Sequence, residues 1–298
     1  MPWAVTLKAP TYRMLPQVDF DSAADVAGFI RAKHAALFPS EDDRLLQRLF
    51  RDVEDLFMGR TPAYAAIDLK YHNLRHTMMA TICMAQIMEG QHSQGGQQQI
   101  GPRDFALAIA GVLLHDSGYL KLKTDDQGTG AKYTFCHILR SCAFAASYLP
   151  RLGATDVEIE NVLSAINCTG PNSEISRLKF RDPVSRLVGC DLATADYVAQ
   201  LADPHYPDKL GELYAEFLES DNFANVPLER RVFKSEADLV RRTPDFWLHI
   251  VKPKLDNDFQ SVYRYLERPL LSGRNAYMEA IDANFALIGR RIAVAGTA

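Results

Sequence analysis

Apolar residues recur three and four positions apart along almost the whole chain, the spacing that gathers them on one side of an α-helix. In SEDDRLLQRLFRDVEDLF, residues 40–57, Leu45, Leu46, Leu49, Phe50, Val53 and Phe57 fall on a single stripe. Ser40 with an acid three positions on, Asp43, has the form of a capping box at the start of that helix. HNLRHTMMATICMAQIME continues the period, and further helices are predicted over 136–150, 155–168, 181–200, 207–220, 227–241, 254–267 and 273–293. Alternating apolar and polar runs bounded by hairpin turns are absent from the sequence. Such stripes are buried only by packing helix on helix, so the expected fold is all-α.

Proline and glycine mark joints at Pro102, Gly118, Pro150, Pro183 and Pro204, but none opens a linker long enough to separate domains. GQHSQGGQQQIGP, residues 90–102, reads as an exposed loop. The expected organisation is one multi-helix core over 61–203, with an N-terminal helical extension over 1–60 and C-terminal helices over 204–298 packed on it. A net charge of −4 and a pI of about 6.1 argue against general binding to nucleic-acid polymers or anionic membranes. No apolar run approaches the ~20 residues of a membrane span. The first residues, MPWAVTLKAPTYRML, lack a basic stretch followed by an apolar one, so no secretory leader is expected. Five cysteines without a CxxC pair fit free thiols in a reducing cytoplasm, most of them as small core residues.

The apolar run Phe105–Leu114 ends abruptly at His115 and Asp116, in GVLLHDSGY. Burying an unpaired imidazole or carboxylate costs several kcal/mol, so both need a partner, a metal ion or exposure. An aspartate at a helix C-terminus also faces the negative end of the dipole, an objection a divalent cation removes. His72 and His76, in YHNLRHT, stand at i and i+4, where two rings on a helix point to one spot. Asp191, in RLVGCDLATADY, is a further carboxylate inside an apolar helical run. Asp196, in the same stretch, is expected to be exposed or to support the site from outside.

On an all-α background, the order H…HD…D resembles the HD-domain metal-dependent phosphohydrolases. The match sets His76 as the first histidine, His115-Asp116 as the doublet and Asp191 as the final aspartate. YHNLRHT also looks like the YHNxxH segment of the cyclic-nucleotide phosphodiesterase branch, which implies His72 as proton donor and His76 as ligand. The similarity covers about residues 65–200. It has departures: HDSGYLK lacks the further histidine of HDxxHxG and does not fit HDxGK followed by a histidine pair. The one later histidine is His137, and Asn167-Cys168-Thr169 stands where two-metal relatives often have another.

What the resemblance implies is a bundle of the HD type and a hydrolase for a phosphate ester or diester of a small molecule, a nucleotide being the first expectation. One divalent ion (Mn, Fe, Ni, Zn or Mg) would be held by His76, His115, Asp116 and Asp191, with His137 for a second. Attack would come from hydroxide on the ion, oriented by Asp116, while His72 protonates the leaving oxygen. Arg75, Lys121, Lys123, Lys132 and Arg140 are candidates to hold the phosphate. Two other readings stay open: a non-catalytic metal-binding sensor and a di-iron oxygenase on the same fold. The sequence leaves self-association undecided.

Overall fold

The structure, a computed structural model, describes residues 17–95 and 99–295. The stretch read above for a leader lies outside the described residues. Ten α-helices make up the described fold: α1 (Ala23–Leu37), α2 (Arg44–Phe57), α3 (Leu74–Gln94), α4 (Pro102–Leu114), α5 (His137–Tyr148), α6 (Asp156–Asn167), α7 (Pro183–Ala202), α8 (Tyr206–Phe223), α9 (Glu236–Phe246) and α10 (Ala276–Ala295). Two isolated bridges, Tyr64 with Leu122 and Arg268 with Arg274, are the only β-type pairings among the described residues. The fold is all-α. No helix among the described residues is long and apolar enough to cross a membrane.

Local chemistry explains most of the helix starts. Asn73 caps α3 by accepting from the His76 N–H at 3.1 Å. Thr155 and Glu158 cap each other's backbone at α6, and Pro183 follows the Asp182 cap of α7. α2 begins later than expected. Ser40 sits at φ +80°, and Asp43 takes the cap position while its carboxylate binds Arg31 and Gln47. α3 likewise runs five residues into the stretch expected to be a loop. Residues 254–267 form π and 3-10 turns instead of an α-helix.

α3 and α7 are the central pair. α7 also packs on α6 and α10, and α1 and α2 cover the side of α3 and α4. α4 is buried on every face from Phe105 to Leu114, which is why its sequence is apolar all round. Each such Leu or Phe contributes roughly 1.5–3 kcal/mol through burial. This packing fixes the end of α4, and with it His115 and Asp116, rigidly inside the bundle.

Candidate metal centre

Four helices converge at the end of α4. His76 comes from the first turn of α3, His115 and Asp116 follow the last turn of α4, His137 opens α5, and Asp196 lies in the middle of α7. His76, His115 and Asp116 each offer a ligand atom, and these atoms all lie within 4.8 Å of one another. His76 Nε2 is 3.3 Å from Asp116 Oδ2 and 3.2 Å from Asp196 Oδ1. His115 Nε2 is 3.3 Å from Asp116 Oδ2 and 3.7 Å from Asp196 Oδ1. The other oxygen of Asp116, Oδ1, faces His137 Nε2 at 3.8 Å.

Hydrogen bonding behind the rings decides what these atoms need. His115 Nδ1 lies 2.7 Å from the Val112 carbonyl oxygen, which can only accept, so Nδ1 carries the proton. In the neutral ring Nε2 is then a lone pair, buried and without a partner, opposite an equally orphaned Asp116 Oδ2. Two acceptors facing each other in the interior require either a proton on the ring or a metal cation between them. His137 is held in the same way, its Nδ1 donating to Thr134 O at 2.7 Å. Two donors in cis positions on one ion, each ~2.1 Å away, stand about 3.0 Å apart, close to the spacing found here. The residues therefore fit a divalent metal.

Electrostatics point the same way. Burial on its own would lower the pKa of His76, but the Asp116 and Asp196 carboxylates outweigh it and raise the group to about 9. His115 is raised well above the ordinary value for the same reason, against the same desolvation. Desolvation opposes the charge on both aspartates, yet the histidines hold Asp116 and Asp196 below the usual carboxylate range. His137, more desolvated than attracted, is lowered. A field that favours protons on two imidazoles favours a cation in their place.

Asp191 does not join this cluster, and that expectation is corrected. It is fully buried, and its Oδ1 accepts from Gln91 Nε2 at 2.7 Å. Gln91 lies fifteen residues beyond His76 on α3, about 22 Å along the helix. Five positions on α7 turn a side chain by about 140°, so Asp191 and Asp196 cannot serve one site. Asp196 is only 8% exposed and sets a carboxylate against His76 and His115, where one was expected from Asp191. Its neighbours Ala195, Tyr197, Val198 and Ala199 are all buried, a run that could have marked it.

His72 is placed differently from the helical pairing with His76. It precedes α3, in the turn before the Asn73 cap, yet its ring centroid lies 5.6 Å from that of His76. Glu216 of α8 holds it: Oε2 is 2.5 Å from His72 Nδ1, and Oε1 accepts the Tyr71 and His72 N–H groups at 2.9 and 3.3 Å. Glu216 was not anticipated, although an acid between Tyr214 and Phe217 in an apolar helix face was a visible mark. α8, the first of the C-terminal helices, is thus part of the site. Side-chain exposures of 15% for His72, 12% for Asp196 and 18% for His137, against 1% for His115, show which side is open.

Four of the five cations expected to hold phosphate are engaged elsewhere. Arg140 donates Nε and Nη2 to the carbonyls of Gly118 and Leu120, both at 2.7 Å, and lies over the Tyr133 ring. Arg75 pairs with Asp21 and covers Phe20. Lys121 donates to Gly128 O, and buried Lys132 to Asp125 and Gln127 O. Lys123 is exposed, on a segment whose N–H pairs with the Ala63 carbonyl. Arg140, Lys121 and Lys132 thus brace the segment that follows the doublet. Tyr119 of that loop stacks against both His72 and His137, with centroids 4.8 and 4.7 Å away.

A family model described as Npun_R2479-like matches residues 60–271. The chain belongs to the Npun_R2479-like family. No curated protein and no solved structure matches it. The Npun_R2479-like span holds every residue that converges on the centre, from His72 to Glu216, and leaves out α1, α2 and α10.

Proposed function

We propose that this Npun_R2479-like protein is a metal-dependent phosphohydrolase of the HD type, acting on an ester or diester of a small molecule, with nucleotides the first class to screen. His76, His115, Asp116 and Asp196 would hold the ion, and His137 with Asp116 Oδ1 a second one. When bound, a divalent ion acidifies a water and neutralises phosphoryl oxygens. His72 is the proton donor for the leaving oxygen, and Glu216, 2.5 Å from its Nδ1, fixes its tautomer and orientation. Free thiols at all five cysteines fit a reducing, cytoplasmic setting.

The observation that carries this reading is the His72–Glu216 pair. With Nδ1 committed to a buried carboxylate 2.5 Å away, Nε2 is the nitrogen that exchanges a proton, beside the open face of the cluster. A purely structural metal site needs no such group, so the sensor reading leaves the pair without a task.

The test is metal content of purified protein together with hydrolysis of a panel of phosphate monoesters, diesters and nucleotides. Bound divalent metal, turnover of at least one ester, loss with chelator and return with metal are expected. Protein that carries no metal and takes none up refutes the reading. So does bound metal with no turnover across the panel.

A further inference from the structure

One turn beyond Asp196 on α7, the Gln200 amide sits against it. Nε2 donates to the Asp196 carbonyl at 3.0 Å and to Asp196 Oδ1 at 3.1 Å. That Oδ1 is the same oxygen that faces His76 and His115. Both Asp196 atoms can only accept, so the amide must turn its NH2 toward them and its oxygen away. The oxygen, Oε1, lies 2.8 Å from the hydroxyl of Tyr71, which therefore donates. Tyr71 is itself fixed, only 4% exposed, with its backbone N–H on Glu216 Oε1 at 2.9 Å.

We propose that Tyr71 and Gln200 are positioning residues that aim Asp196 Oδ1 at the metal and so set the affinity of the centre. The inference rests on the metal-centre reading and deepens it. Without the Tyr71 hydroxyl the amide is free to flip, which would turn its oxygen toward the carboxylate. Without the amide, Asp196 keeps its charge but loses the two bonds that hold its side chain to its own backbone. Tyr71 also joins two functions: its hydroxyl orients a metal ligand, while Glu216 grips its backbone together with the ring of His72. Partners that orient a ligand, here Gln200 directly and Tyr71 through it, typically change metal affinity by about 10–100-fold when removed.

The experiment uses the full chain, stripped with chelator and titrated with Co2+, with dissociation constant and visible absorption both recorded. Tyr71→Phe and Gln200→Met are compared with wild type; both retain bulk and remove only the hydrogen bonds. Each is expected to weaken Co2+ binding by about 10–100-fold and to change the absorption of the bound ion. A merely structural role would lower the melting temperature of the metal-free protein and leave affinity and spectrum as in wild type. Dissociation constants within twofold of wild type, with an unchanged spectrum, overturn the proposal while the metal centre stands. Should Gln200→Met fail to fold, Tyr71→Phe, which removes one oxygen atom, decides alone. Wild-type protein that binds no Co2+ refutes the metal centre and this inference with it.

Discussion

Asp191 and Asp196 stand five positions apart on α7, and only Asp196 meets the histidines; Asp191 is hydrogen-bonded to Gln91 deep in the core. The pair separates two roles for a buried carboxylate on one helix. If the proposed centre holds a metal, Asp196→Asn should strip it, since a neutral amide replaces one of the two carboxylates that would hold the ion. Asp191→Asn should retain metal at the wild-type level. Metal analysis of the two purified variants checks this, and loss from Asp191→Asn would contradict the assignment.

Asp191 also makes stability depend on pH. Burial raises its pKa well above the ordinary carboxylate value, against the lowering effect of the Gln91 hydrogen bond. In the unfolded chain it ionises near pH ~3.9. Its contribution is therefore fully present below that pH and is lost as pH rises toward the folded-state pKa. Over that window the folded state alone retains the proton, a slope of at most about −1.4 kcal/mol per pH unit. Asp191→Asn removes the term, so the variant should gain on wild type as pH climbs from 4. Urea midpoints measured in parallel across pH 4–8 should diverge; parallel curves would show that Asp191 is already ionised in the fold.

His72 and Glu216 should separate chemistry from metal binding. His72→Ala is expected to lower turnover by about 10²–10⁴-fold with metal content near normal, and Glu216→Gln to fall in the same direction. The loss should be largest on esters with poor leaving groups and small on p-nitrophenyl esters, whose departing oxygen needs no proton. An equal loss on both substrate types would remove His72 from the role of proton donor.

Gly118 lets the doublet loop touch α5. A Cβ there would fall 1.9 Å from the His137 carbonyl oxygen, and the Gly118 N–H donates to Ser141 Oγ at 2.8 Å. Backbone cannot yield as a flexible side chain would, so Gly118→Ala should cost at least about 1–3 kcal/mol and displace His137. A denaturant midpoint equal to that of wild type would show that the two segments separate at little cost.

The all-α fold was legible because helical periodicity is a local property of the chain, visible in stripes such as Leu46, Leu49, Phe50 and Val53. His76, His115 and Asp116 were legible for a similar reason, as polar groups interrupting apolar runs. The choice between Asp191 and Asp196 was not, because both interrupt the same run and only the rotation of α7 against α3 decides which one faces His76. Glu216 lies 144 residues from the histidine it holds, a relation created by tertiary packing alone. That Arg140 and Lys121 are already engaged was illegible for another reason. Composition shows that Arg140 and Lys121 carry charge near the doublet, but not that loop carbonyls already take up their protons.

Metal uptake should itself be coupled to protons. His76 in the metal-free protein titrates at about 9 because, against desolvation, Asp116 and Asp196 favour its charged form; His115 is raised well above its ordinary value. Both rings must be neutral to bind a metal, so at pH 7 each ion bound should release protons. The folded pKa of His76 exceeds its unfolded value, so its contribution to metal-free stability is fully present below pH ~6.5 and lost as pH rises through about 9. Apparent metal affinity should run the opposite way, strengthening with pH up to about 9 and then levelling as far as His76 is concerned. Calorimetric titration at pH 7 in two buffers of different ionisation enthalpy counts the protons directly. At least one proton per ion is expected, with fewer at pH 9.5; identical heats in both buffers would mean that the histidines are already neutral and that the carboxylates do not govern the site.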